Sequence, residues 1–109
     1  MSPSSLTVLA DEQLALARAT GSGRSARTVH GGSTSPLRQT LIALVAGHAL
    51  EEHASPGAAT LQVLRGQVRL VAQDRSWPGS AGDLLVIPDA RHALHADEDS
   101  VVLLTVARG

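Results

Sequence analysis

Cysteine, phenylalanine, tyrosine and lysine are all absent from this chain of 109 residues, and tryptophan occurs once, at Trp77. The lack of cysteine excludes a disulfide framework, a thiolate nucleophile and a zinc–thiolate centre. With a single aromatic carbocycle, the core has to be assembled from Leu, Val, Ile and Ala, each of which buries modest area. A core of that kind gains from a partner subunit. Positive charge is scarce as well: nine arginines stand against ten acidic residues, for a net charge of −1. That balance argues against a nucleic-acid-binding module, which carries a basic patch. No apolar run approaches the roughly 18 residues of a membrane span. The N-terminus lacks the basic and then apolar regions of a leader peptide. The expectation is one domain in the cytoplasm, with neither nucleic acid nor membrane as partner.

What is present is β-periodicity. The stretch Ala58–Val71, AATLQVLRGQVRLV, holds two alternating runs interrupted at Gly66. A glycine between two such runs reads as a tight hairpin or a bulged corner. Ahead of it, Arg38–Val45 places Thr40, Ile42 and Leu44 on one face and Leu41, Ala43 and Val45 on the other. Both faces are apolar, so both are expected to be covered, as in a strand at a subunit interface. Short strands follow at Leu50–His53, Leu84–Ile87, His92–Ala96 and Val101–Val106, while Asp74–Ser80, with Trp77–Pro78–Gly79, reads as a loop. The exception is Leu6–Ala19, where Leu6, Leu9, Ala10, Leu14 and Ala17 keep a helical period behind Ser5 or Thr7 as cap. Residues 1–22 are thus expected to be a tail and amphipathic helix, and residues 23–109 an all-β domain of eight or nine short strands. Arg24 and Arg27, beside serines at the start of that domain, are candidates for a surface that meets an anion or a partner.

The spacing of several residues carries a resemblance. Gly47-x5-His53-x-Ser55-Pro56, then Ala59-x6-Gly66, then Gly82-Asp83-x4-Pro88-x3-His92 resembles the two motifs of the cupin superfamily. Those motifs are Gly-x5-His-x-His-x3 or x4-Glu-x6-Gly and Gly-x5-Pro-x-Gly-x2-His-x3-Asn. The match runs over residues 40–107. It implies a jelly-roll β-barrel with a short N-terminal α-helix, commonly a homodimer joined through an edge-strand face. It also implies a divalent metal (Zn, Fe, Mn or Ni) inside the barrel, held by three histidines and a glutamate or a fourth histidine.

Carried over position by position, that ligand set is depleted. His53 and His92 match the first and last ligands, but Ser55 and Ala59 stand where the second histidine and the glutamate belong. The segment from Pro88 to His92 is one residue short, with Ala90 and Ala96 at the motif's glycine and asparagine. A serine hydroxyl is a poor ligand at neutral pH, and catalytic sites fix three protein ligands. Strand parity offers Glu51 as a third ligand on the face of His53, and turns His48, Glu52 and His95 away. The expected metal is therefore absent or weakly held.

With the metal discounted, His53 and His92 form the leading functional pair, since imidazole both donates and accepts hydrogen bonds. Ser55 adds a hydroxyl, and Ala59, Leu61, Val63 and Leu94 are the inward positions that would line an apolar ligand pocket. The leading reading is a small cupin that binds a small polar or carboxylate-bearing molecule. The alternatives are a metal-dependent cupin enzyme of oxygenase or isomerase type with a reduced ligand set, and a structural or regulatory dimer. Fold alone does not choose among them.

Overall fold

The structure is a computed structural model and describes residues 2–108. Among them are α1 (Leu6–Ala19), β1 (Arg24–His30), β2 (Leu37–Leu44), β3 (Ala49–His53), β4 (Ala58–Arg65), β5 (Gln67–Ala72), β6 (Arg75–Ser80), β7 (Leu84–Val86), β8 (His92–Ala96) and β9 (Ser100–Ala107). The strands form a five-stranded sheet, β1-β2-β9-β4-β7, and a four-stranded sheet, β3-β8-β5-β6. All pairings are antiparallel. The result is the jelly-roll architecture expected from the sequence, with the helix added to its outside.

Side chains of a strand alternate between faces, and the two faces here serve two cores. Ile42 and Leu44 of β2, Leu61 and Val63 of β4, and Val102 of β9 meet Val68, Leu70 and Leu94 from the opposite sheet. On the other face, Leu41 and Ala43 of β2 and Val101 and Leu103 of β9 receive Ala10, Leu14 and Ala17 of α1. The doubly apolar β2 is therefore covered on both sides within one chain. Its outer face needs no subunit to cover it, because α1 lies there. The helix begins where Ser5 Oγ accepts the Val8 N–H at 3.3 Å, an N-cap that satisfies one free amide of the first turn.

The structure decides two elements of the sequence pattern. At Gly66 the chain turns a corner rather than forming a hairpin, since β4 and β5 lie in different sheets and do not pair. The Gln67 N–H donates to Ser100 Oγ at 3.1 Å and fixes that corner to the start of β9. The second is a correction: Asp74–Ser80 is not a loop, because Arg75–Ser80 is strand β6, paired with β5 from Gln67↔Ser80 to Ala72↔Arg75. Its proline, Pro78, is tolerated because β6 is an edge strand, where a missing N–H breaks no ladder. Trp77 on this strand packs against the inner core and carries the Arg75 guanidinium 5.6 Å from its ring centroid.

The last turn of α1 is tied to two sheet turns through one carboxylate. Asp99 Oδ1 accepts the Ala46 N–H at 2.9 Å, and Arg18 Nη2 lies 2.8 Å from Asp99 Oδ2. The Ala46 amide, and after it the Arg18 guanidinium, hold the Asp99 carboxyl below its ordinary value. A depressed carboxylate stabilises the fold above its unfolded pKa, and that contribution is lost as pH falls through the folded value. Asp99→Asn is accordingly expected to lower the melting temperature slightly at pH 7, by less than about 1 kcal/mol for so exposed a pair. The difference from the parent chain should begin to shrink below about pH 4 and close as pH falls through the folded value. A deficit that stayed the same size from pH 7 down to the acid limit of the fold, in melts followed by circular dichroism, would contradict this role.

Among the described residues no helix is long and apolar enough to cross a membrane.

Candidate functional site

His53 and His92 meet where β3 and β8 pair. They are direct partners in the ladder, and their ring centroids are 4.4 Å apart with planes inclined at 60°. His92 is buried, 4 % exposed, whereas His53 is exposed at the rim. Each ring is held by the chain next to it. His53 Nδ1 lies 2.9 Å from the Glu51 carbonyl oxygen, and His92 Nδ1 lies 3.0 Å from the Ala90 carbonyl oxygen. A carbonyl only accepts, so in both rings Nδ1 is the donor and the proton-free position of the neutral ring is Nε2. Neither Nε2 has a hydrogen-bond partner among the described residues. The only sealed, unpartnered side-chain polar atom among them is Arg38 Nε, so His92 Nε2 still reaches solvent.

The pairing of β3 with β8 also decides the fate of Glu51. Leu50 faces Leu94 and His53 faces His92, so β3 advances three residues while β8 advances two. A β-bulge of this kind adds one residue to one strand and reverses its parity. Leu50 and His53 consequently share a face and line the same cavity, and the expectation that Glu51 lies on the face of His53 is overturned. Glu51 supplies a backbone carbonyl to the site, not a carboxylate. Glu52 holds Arg91 at the surface instead, with Arg91 Nε donating to its Oε1 at 3.0 Å. His48 packs its ring against Gly23, away from the pair.

Of the other residues proposed from sequence, Leu61 and Leu94 line the cavity with the two histidines. Ala59 and Val63 are buried in the inner core without lining it. The Ser55 hydroxyl is engaged in its own turn, donating to the Gly57 carbonyl at 3.3 Å and accepting from the Gly57 N–H at 3.4 Å. Ile42, Leu50, Leu70, Ile87 and Leu104 complete the lining. Leu50 escaped the sequence reading because its inward direction depends on the bulge. The cavity they line is about 30 Å³, room for a water or two. Anything larger than a water has to engage the histidines from the mouth.

The divalent-metal ligand set implied by the cupin motifs does not fit these residues. Two imidazoles are present, the serine is turned aside, the alanine has no donor, and the carboxylate has been moved by the bulge. Among the described residues no group of three or more His, Cys, Asp or Glu side chains is arranged to hold a metal ion.

Nine short antiparallel strands in two sheets, with a histidine from β3 set against one from β8, define a jelly-roll barrel whose mouth carries two imidazoles. Solved structures with this architecture are numerous. An RmlC-like cupin from Desulfovibrio desulfuricans is 27% identical, with 77% of this chain and 81% of that chain covered and a TM-score of 0.68. A conserved protein of unknown function from Streptococcus pyogenes is 26% identical over 83% of this chain and 78% of that one, with a TM-score of 0.72. A cupin 2 conserved barrel domain protein from Salinispora arenicola matches over 96% of this chain and 87% of that one at 19% identity, with a TM-score of 0.68. No protein-family model and no curated protein matches the chain. The chain has the fold of the cupin conserved-barrel proteins, and among the described residues the cupin metal motif is degenerate.

Proposed function

We propose that this cupin binds a small polar or carboxylate-bearing molecule at the mouth of its barrel, between His53 and His92, without a resident metal. The observation that carries this reading is the pair of imidazoles with both Nδ1 atoms pinned to backbone carbonyls and both Nε2 atoms unpartnered. Two fixed imidazoles, their ring centroids 4.4 Å apart, offer two proton-free Nε2 atoms to a hydroxyl or acid proton, and the apolar lining beneath them favours a ligand with a short hydrocarbon face. Carbonyl pinning of this kind also orients metal-binding histidines, so a weakly metal-dependent enzyme is the second reading.

One titration separates them. Amide spectra of the full chain, recorded with a panel of small acids, alcohols and amides, are expected to show saturable shifts at His53, His92 and Leu50. Those shifts should disappear in His53→Ala and in His92→Ala. Elemental analysis after dialysis should find substoichiometric Zn, Fe, Mn and Ni. Shifts scattered over the surface without saturation would sink the binding reading; stoichiometric metal, lost in both variants, would establish the second.

A homodimer is part of the proposal. It is supported by the edge strand β7, where Leu84 is 62% and Val86 74% exposed. Light scattering should give twice the chain mass, reverting to the single mass in Val86→Lys; a single mass for the parent chain would refute it.

A further inference from the structure

Beside the histidine cavity, and sharing Leu104 with it, lies a cleft of about 350 Å³. Thr40 and Arg38 of β2 and Leu104 and Val106 of β9 form one wall, at the ladder positions Thr40↔Leu104 and Arg38↔Val106. Arg108 and Pro56 complete it. The lining therefore holds two guanidinium groups, one hydroxyl and three apolar residues, and no acid. Arg108 is positioned by the chain: its Nη1 donates to the Ser33 carbonyl at 2.6 Å and its N–H to the Pro36 carbonyl at 2.7 Å. Arg38 is different. Among the described residues no carboxylate lies within ion-pair distance of it, its guanidinium makes no hydrogen bond, and its Nε is sealed from solvent without a partner.

A sealed donor without a partner on a charged group is rare in a folded protein and calls for an explanation. Arg38 is half-buried, and its Nε is the atom shut off from water. It stands on the inner face of β2, two residues from Thr40 and four from Ile42, where the strand pattern is otherwise apolar or hydroxyl-bearing. We propose that Arg38 is the anchor for the carboxylate of the ligand whose body reaches the histidine pair across Leu104. This rests on the reading of the barrel mouth as a small-molecule site, and gives that molecule its chemical class: a monocarboxylate with a short apolar body. The planar guanidinium matches a carboxylate through two parallel N–H bonds, from Nε and one Nη. Turning the Nε edge into the cleft breaks no existing bond, because that donor has none to lose. Leu104, Val106 and Pro56 offer the hydrocarbon a dry floor, and the cleft is near the lower end of the size range for small-molecule sites, about 300–1,000 Å³. Arg108, already held by Ser33, supplies a second positive charge.

The test uses benzoate and its neutral isostere benzamide, with inorganic phosphate as a bare anion, titrated into the full chain. The 15Nε signal of Arg38 and the amides of Thr40, Leu104 and His92 report binding. Benzoate is expected to move them saturably and to bind about tenfold or more tightly than benzamide or phosphate. Arg38→Lys keeps the charge but removes the fork, and is expected to weaken benzoate about tenfold while leaving benzamide unchanged. His53→Ala should weaken both aromatic probes together. The Arg38 resonance of the parent chain is read without any variant, so a poorly folding Arg38→Lys does not remove the test. Equal binding of benzoate and benzamide, with Arg38 Nε unmoved, would overturn the anchor and leave the mouth reading standing. Phosphate binding as well as benzoate would overturn the need for an apolar body. No probe moving His92 at all would overturn the anchor together with the mouth reading it rests on.

Discussion

Gly66→Ala is expected to destabilise the protein by roughly 2–5 kcal/mol, a large share of the total for a domain of this size. Gly66 has a φ of +86°, in the left-handed region that an L side chain enters at a cost of about 1–2 kcal/mol. Space adds to the cost. A methyl built at this position would overlap the Asp99 carbonyl oxygen and Ser100 Oγ and Cα, at the corner where the chain leaves one sheet for the other. The backbone of β9 is held there by its ladders to β2 and β4 and cannot easily give way. Gly82 offers the control: its φ is +96°, yet nothing lies within 4 Å of a methyl placed on it. Gly82→Ala should therefore lose only the conformational share, about 1–2 kcal/mol. Urea unfolding of the two variants measures the difference. Equal losses would mean that the corner tolerates a side chain and that the contact with Asp99 and Ser100 carries no weight.

Leu14→Ala is expected to cost roughly 2–5 kcal/mol and to lower the melting temperature by about 10–20 °C. Leu14 is 1% exposed, at the centre of the patch that α1 lays on Leu41, Ala43, Val101 and Leu103. Those four residues are the outer faces of β2 and β9, two adjacent strands of the five-stranded sheet. Removing the leucine opens a cavity over the middle of that sheet and takes apolar area from both partners. Thermal melts and urea titrations read the effect directly. A loss below about 1 kcal/mol, as for an exposed side chain, would show a helix that frays independently of the barrel.

The parts of this architecture that follow from periodicity were legible. The 3.6-residue repeat of Leu6–Ala19 and the alternation in β2, β4, β5 and β9 locate those elements within a residue or two. Local geometry that breaks a period was not. The β5–β6 hairpin turns at Gln73–Asp74, with Gln73 at a φ of +56°, and neither residue is the glycine that marks such turns. Pro78 then disguised β6 as a loop, because whether a proline is tolerated depends on the strand being at an edge. The site suffered most from the bulge in β3, which turned Glu51 away and brought Leu50 in. The motif singled out His53 and His92 as a pair, but set them across the barrel from each other, whereas they stand side by side as ladder partners of β3 and β8. Arg38 had a signal that went unread: it has the same parity as Thr40, Ile42 and Leu44, so extending that face by one step points it inward.

The position of β9 has a consequence for how the molecule is made. Ser100–Ala107 lies in the middle of the five-stranded sheet, between β2 and β4, yet it is the last strand in the chain. A ribosome releases it after every other strand, so until then the larger sheet exists only as two separated pieces, β1–β2 and β4–β7. Their inner edges are apolar and unpaired for that interval, the state in which nascent β-proteins meet chaperones or one another. The one strand β9 closes both ladders, to β2 and to β4. A chain cut short before residue 100 would leave the facing edges of β2 and β4 without the strand that pairs them both.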